Sequence, residues 1–309
     1  MARRLKTIPD ASRDLISELP LEVKNRTLGC LRTPEAARTA LLSRHWNDVW
    51  LQHGRLMFDW EFLQCVEECY DDEGRTLVNI INNILFFRDG PVKKFTLQIS
   101  CDDPTPQQSD FDRWCLFLLR NGVEELNICL DTDVQEYKMP FCLLSCRTIK
   151  ELKVRGPSID LPVNACGIFS NVTSLAFYNV EFKCSVNGIA SSISIPKHEK
   201  LAFGCCQGIH KFEISPPKLE MLSVVNYMYD DVVESRWLAP HLKAIKTLWL
   251  CFVFVQSWHM NASEVRNFQR KLECFPRASP NAQIVCTGNY YASMRDDWLD
   301  THGFILLEP

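Results

Sequence analysis

The sequence predicts an α/β chain, with a helical module at the N-terminus followed by an irregular repeat solenoid built on a curved parallel sheet. Three observations predict it. The pattern apolar-x-x-apolar-x-apolar recurs from Val92 onward at spacings of 21 to 31 residues. Segments of helical periodicity fall between some of its copies. Ahead of them, the stretch Asp14 to Leu51 carries a heavy apolar load interrupted by Pro20 and Pro34.

The N-terminal stretch reads as two or three short helices. Leu19-Pro20 opens the first, with proline in a first turn that has no N–H partner to lose. Thr33-Pro34 opens the second, with Thr33 as N-cap, and the helix is expected to run from Ala36 to Trp46. Leu42 and Trp46, four residues apart, then share a face. Leu15, Ile16, Leu19, Val23, Leu28, Leu31, Leu41, Leu42, Trp46 and Trp50 are more than a module of this size can bury, since units below roughly 60 residues are marginal alone. Some of that surface must meet another surface.

These residues resemble the F-box in its plant form: Leu19-Pro20, the Leu28 to Leu31 turn, Thr39, Leu42-Ser43 and Trp46 match in order. Thr27 and His45 depart, standing where Ile or Leu and Lys or Arg are usual. The resemblance implies docking on a Skp-type adaptor, and through it a cullin, by way of Leu19, Pro20, Val23, Leu28, Leu31, Leu42 and Trp46. Residues 12–52 are assigned to this module.

Residues 53–91 are expected to be a helical linker and cap. Leu56 to Phe62 reads as a short strand or turn leading into a helix through Cys65 and Cys69. Leu77, Ile80, Ile81, Ile84 and Leu85 follow the spacing of a buried helix face, and Asp89-Gly90-Pro91 stops it.

Residues 92–309 are assigned to the solenoid and its C-terminal cap. The copies are Val92/Phe95/Leu97, Val123/Leu126/Ile128, Ile149/Leu152/Val154, Val172/Leu175/Phe177, His198/Leu201/Phe203, Leu219/Leu222/Val224 and Ile245/Leu248/Leu250, with a degenerate copy at Asn281/Ile284/Cys286. Period and pattern are those of leucine-rich repeats. Phe95 and the leucines at the fourth position should form one buried column. Ile209/Phe212/Ile214 falls too close to its neighbour and belongs on the opposite side of its coil. Phe111, Trp114 and Leu118 form a helical face after Ser109 as N-cap, and Val265, Phe268, Leu272 and Phe275 another after Ser263. Asp112 to Leu126, and Ser215 to Leu219 with the strand after it, resemble plant F-box/leucine-rich-repeat proteins, loosely.

Composition narrows the function. Net charge is −4, with 34 basic and 38 acidic residues, which offers no clustered nucleic-acid footprint. The longest apolar run, Leu248 to Val255, is too short for a membrane span. The 15 cysteines sit mainly in apolar runs, as free thiols do in a reducing compartment, so a cytoplasmic or nuclear location is expected. Cys65/Cys69 and Cys142/Cys146 lack a second ligand pair at a recognisable spacing, so no metal is expected. There is no phosphate loop and no His-Glu-x-x-His. No cofactor and no catalytic residue are expected; the chain reads as a non-catalytic subunit.

The resemblance therefore implies a substrate-recognition adaptor of a cullin-based ubiquitin ligase. A small-molecule-dependent receptor and a repeat scaffold without a ligase role remain as alternatives. With fourth and sixth positions inward, the fifth and seventh face the concave side. Lys153, Arg155, Ala176, Tyr178, Ala202, Gly204, Ser223, Val225, Trp249 and Cys251 occupy them. An unidentified target protein is expected there, on Lys153, Arg155, Tyr178, Val225 and Trp249, with an acidic element near the two cations.

Overall fold

The computed structural model describes residues 14–67, 73–99, 106–130, 136–161, 168–184, 191–193, 200–204, 206–207, 212–214, 221–227, 247–253 and 283–286. The tail from Tyr290 and the helix expected after Ser263 lie outside them.

Three helices open the chain: α1 Leu21–Cys30, α2 Thr33–Thr39 and α3 Arg44–Gln52. Pro20 is the N-cap of α1, where its fixed φ suits a helix entry. The second helix does not run on to Trp46. It ends at Thr39, and Ser43 restarts the helix by accepting a hydrogen bond from the Trp46 N–H at 3.4 Å. Leu42 therefore sits outside the helix that carries Trp46, and the two part: Leu42 is exposed, while Trp46 is buried. Thr33 is the first residue of α2 rather than its cap. Its hydroxyl instead accepts from the Met57 N–H at 2.8 Å.

β1 Arg55–Phe58 follows, then α4 Trp60–Glu67 and α5 Glu73–Phe86. Leu77, Ile81 and Leu85 line the buried face of α5 as their spacing requires. The expected linker also contributes the first strand of the main sheet, because Leu56 pairs with Phe95 and Phe58 with Leu97.

The remaining elements are β2 Lys94–Ile99, α6 Gln108–Arg120, β3 Glu125–Leu130, α7 Phe141–Leu144, β4 Glu151–Arg155, β5 Ile159–Leu161, β6 Ser174–Tyr178, β7 Phe182–Cys184, β8 Ser191–Ile193, β9 Lys200–Gly204, β10 Phe212–Ile214, β11 Met221–Tyr227, β12 Thr247–Val253 and β13 Gln283–Cys286. Gln107, not Ser109, caps α6, its N–H donating to Asp110 Oδ2 at 3.4 Å.

Nine strands form one parallel sheet in the order β1-β2-β3-β4-β6-β9-β11-β12-β13. Sequential parallel neighbours in a sheet that does not close are the signature of a solenoid, each coil contacting its neighbours. The register joins the expected column residue to residue: Leu56, Phe95, Leu126, Leu152, Leu175, Leu201, Leu222, Leu248 and Ile284 are successive partners. From Leu56 to Leu201 none is more than 2% exposed, so the column is core. β10 pairs with β8 and β5 with β7 in separate small sheets, which puts Phe212 and Ile214 off the main sheet as their spacing suggested.

A repeated hydrogen bond sets this register. At the starts of β2, β3, β4 and β6 two successive N–H groups donate to one carbonyl of the preceding coil. Lys93 and Lys94 donate to Gly54 at 2.7 and 2.9 Å, Glu124 and Glu125 to Lys93 at 2.9 Å, and Thr173 and Ser174 to Lys150 at 2.7 and 3.1 Å. Side chains reinforce it. The Glu124 carboxylate bridges Lys93, at 2.7 Å, and Lys150, and Lys94 meets Glu125 at 2.6 Å. Hydrogen bonds from Lys150 and Lys93 hold the Glu124 carboxyl down at about 2.

One buried cluster runs without a break from Leu28, Ala36, Trp46 and Trp50 through Phe58 and Phe95 to Phe203. The helical module thus shares its core with the first coils. It also closes the sheet edge. The edge-strand N–H of Met57 is taken by Thr33, and Arg55 donates to the Gly29 carbonyl. An unpaired edge would otherwise invite another strand.

Candidate interaction surfaces

The helical module presents an apolar surface made mostly by its turns. Asp14 starts the first, accepting from the Ser17 N–H at 3.1 Å. Ser17 donates to the Ser43 hydroxyl at 2.8 Å, and Lys24 donates to the Ser17 carbonyl at 2.7 Å. Lys24 is buried and its ammonium lies 5.7 Å from the Trp46 ring centroid. These contacts tie the turn before α1 to the start of α3. They fix the two loops whose leucines face outward: Leu15 and Ile16 in one, and Leu41, 87% exposed, with Leu42 in the other. Leu21, Pro20 and Val23 on α1 are exposed as well. An open groove of about 300 Å³ runs between α1 and α3, lined by Leu21, Lys24, His45, Asp48, Val49 and Gln52.

Of the seven expected docking residues, Pro20, Val23 and Leu42 are exposed, and Leu19 and Leu31 are half-buried against the core. Leu28 and Trp46 are corrected in role. At 0% and 2% exposure they face the chain's own core and can only support the surface from beneath. The expected site omits Leu15, Ile16, Leu21 and Leu41; Leu15, Ile16 and Leu41 belong to the apolar surplus that the module cannot bury, whereas Leu21 carries no such mark in the sequence.

Where the module meets the first coil, Arg88 donates to the carbonyls of Trp50, at 3.0 Å, and His53, and its guanidinium lies 5.0 Å from the Trp50 ring centroid. Burial, then the positive Arg88 and Arg55, push the His53 imidazole down to about 4. Burial also lowers Arg88 to about 10.

The sheet face opposite the core carries the second surface. Lys153 and Arg155 stand two residues apart on β4, on the same side, and both are half-buried. Arg155 pairs with Tyr178, Tyr178 with Gly204, Gly204 with Val225 and Val225 with Cys251; Ser223 pairs with Trp249. The register thus brings Lys153, Arg155, Tyr178, Val225 and Trp249 to one face across five strands. This face is less open than alternation alone suggested. Ala176, Ala202 and Gly204 are buried, and the Tyr178 ring lies against Gly204. A Cβ at Gly204 would sit 2.9 Å from Tyr178 Cε1 and closer still to Cδ1.

Cys142 and Cys146 do not form a helical pair, since α7 ends at Leu144. The Cys146 sulfur lies 3.1 Å from the Thr148 hydroxyl, and burial pushes the Cys115 and Cys142 thiols up, away from nucleophilic or ligand chemistry.

Fold and surfaces together define a repeat protein with an apolar helical module locked onto its first coil. Residues 87–279 match the family model of the At1g61320/AtMIF1 LRR domain. The F-box/FBD/LRR-repeat protein At1g13570 of Arabidopsis thaliana is 30% identical over 249 residues, 72% of this chain and 56% of its own length. The F-box/LRR-repeat protein At3g59200 from the same plant is 33% identical over 152 residues, 48% of this chain and 28% of its own. A third, the F-box/LRR-repeat protein At3g26922, is 24% identical over 234 residues, 75% of this chain and 72% of its own. The chain belongs to the plant F-box/leucine-rich-repeat proteins. It spans about half the length, or less, of the first two relatives.

Proposed function

We propose that this chain is the substrate-recognition adaptor of a cullin-based ubiquitin ligase. The helical module binds a Skp-type adaptor, and the open face of the repeats holds the target protein. The chain makes and breaks no bond itself. It contributes proximity, converting an encounter between target lysine and charged ubiquitin carrier into a local event. The observation that supports this best is the division of apolar surface. Leucines in the two loops face outward while their neighbours Leu28 and Trp46 lie in a core shared with the sheet. That continuous core also suits the task, because docking surface and target face then keep a fixed relation. Cys30, Cys65, Cys115, Cys129, Cys142, Cys146 and Cys206 are free thiols, which supports a cytoplasmic or nuclear location.

Co-expression with a plant Skp-type adaptor and cullin tests this, with assembly followed by size-exclusion chromatography. A complex containing all three chains is expected. A chain that elutes alone while folded would leave a repeat scaffold without a ligase role. On the target side, Trp249→Ala is expected to lower target capture without changing the melting temperature; a large loss of stability would place Trp249 in packing.

A further inference from the structure

The docking surface accounts for the exposed leucines of the helical module. It leaves Phe86 at the end of α5, Phe87 just after it and Leu116 on α6, all exposed, without a role. Phe87 is 71% exposed, yet it is held in place from both sides. The three residues after it are all bonded to the end of α3. Arg88 donates to the Trp50 and His53 carbonyls, and the Asp89 and Gly90 N–H groups donate to the Leu51 carbonyl at 3.2 and 3.3 Å. Gly90 lies so close to Gln52 that a Cβ there would meet the Gln52 Cα at 2.7 Å. On the other side, the Phe86 ring meets the half-buried Phe117 of α6 edge-on, with centroids 5.7 Å apart. Gln52 is also the last residue of α3 to line the groove between α1 and α3. His45, Asp48, Val49 and Gln52 make one stripe of that helix, about 10 Å long. The groove thus leads from the Leu41–Leu42 loop, along α3, to the contact of Gln52 with Gly90, and Phe87 stands three residues from that contact.

We infer that the Skp-type adaptor does not stop at the helical module: its contact continues along the α1–α3 groove onto the first coil, where it buries Phe87. This rests on the proposal that the module binds such an adaptor, and extends that site into the repeats. Continuity with the docking surface argues for the adaptor as occupant. So does the make-up of the groove, whose apolar floor of Leu21 and Val49 is edged by His45, Asp48 and Gln52, the core-and-rim arrangement of a protein interface. An aromatic ring already fixed by its neighbours loses little freedom when a partner covers it, which is what makes such residues carry binding energy. Size argues against a second copy of this chain. At the exposures of Phe86, Phe87 and Leu116 the patch offers roughly 300 Å², well below the about 800 Å² per partner of a stable interface. It suits the far end of a larger contact. An adaptor that holds both the module and the first coil also fixes its own orientation relative to the repeats.

The test uses the full chain and a purified plant Skp-type adaptor. Isothermal titration compares wild type with Phe87→Ala, Phe87→Glu and, as control, Phe141→Ala, an exposed phenylalanine on α7. Phe87→Ala should weaken binding about tenfold and Phe87→Glu at least as much, with melting temperatures unchanged; Phe141→Ala should bind as wild type. Hydroxyl-radical footprinting of the wild-type chain reads the same contact without a substitution. Oxidation of Phe87 should fall when the adaptor is bound, and that of Phe141 should not. Wild-type affinity in both Phe87 variants, an equal loss in Phe141→Ala, or equal oxidation of Phe87 with and without adaptor overturns the inference. So does self-association that Phe87→Glu abolishes while adaptor affinity is unchanged, which assigns the patch to a second copy. The two readings fail separately. If Leu41→Ala weakens adaptor binding and the Phe87 variants do not, only this inference falls; if the folded wild-type chain does not bind the adaptor at all, the docking proposal itself falls.

Discussion

Leu28→Ala is the substitution that asks whether module and repeats are one body. Leu28 is completely buried and belongs to the cluster that continues to Phe203. Removing three carbons there forfeits their transfer energy and leaves a cavity, costing about 2–5 kcal/mol. In a chain of this length each kcal/mol lowers the melting temperature by roughly 2 °C, so a drop of roughly 4–10 °C is expected. Differential scanning calorimetry reads the drop, and the number of transitions matters as much as its size. A shared core unfolds together, so a single endotherm should move as a whole. Hydrogen exchange should also quicken at β2 and β3, not only in α1. Two transitions, with only a minor one shifted and β2 protection unchanged, would refute the shared core.

Three further outcomes follow from local geometry. Thr33→Val removes the acceptor of the half-buried Met57 N–H and should cost about 1 kcal/mol, read by urea denaturation; an unchanged midpoint would contradict the bond. His53 is depressed to about 4 from its ordinary 6.5, so the unfolded chain takes up a proton first; stability should be full above about 6.5 and fall as pH drops toward about 4, by at most about 3 kcal/mol, a slope that His53→Gln should flatten. Gly204→Ala should swing the Tyr178 ring off the sheet, giving a small loss of stability but a changed near-ultraviolet tyrosine signal; an unchanged signal would contradict the contact.

The repeats were legible because each coil must bury one residue at the fourth position and one at the sixth, and strand alternation forbids a slip by one. That is why the pattern alone aligns Phe95 with six leucines. β1 escaped for a specific reason. His53/Leu56/Phe58 has the same form as His198/Leu201/Phe203, yet it lies 39 residues before Val92, outside the period, because α4 and α5 occupy the interval. The helical module was read correctly in composition but not in its breaks. Ser43 looked like the interior of a helix ending at Trp46, and its capping role reverses which way Leu42 points. The open face was only partly legible. Alternation placed Lys153, Arg155 and Tyr178 on it, but the packing of Tyr178 against Gly204 depends on two strands meeting and has no signature in either strand alone.

The central claim is that the outward leucines and the Leu19-Pro20 turn form a docking surface for a Skp-type adaptor. Isothermal titration of the purified chain with that adaptor tests it most directly, comparing wild type with Leu19→Ala/Pro20→Ala and with Leu41→Ala. Leu41 is 87% exposed, so its loss should leave the melting temperature unchanged. Burying a leucine in a partner is worth about 1.5–3 kcal/mol, so Leu41→Ala should weaken binding about ten- to hundredfold, and the double variant at least as much. Wild-type affinity in folded Leu19→Ala/Pro20→Ala and Leu41→Ala chains would contradict the account.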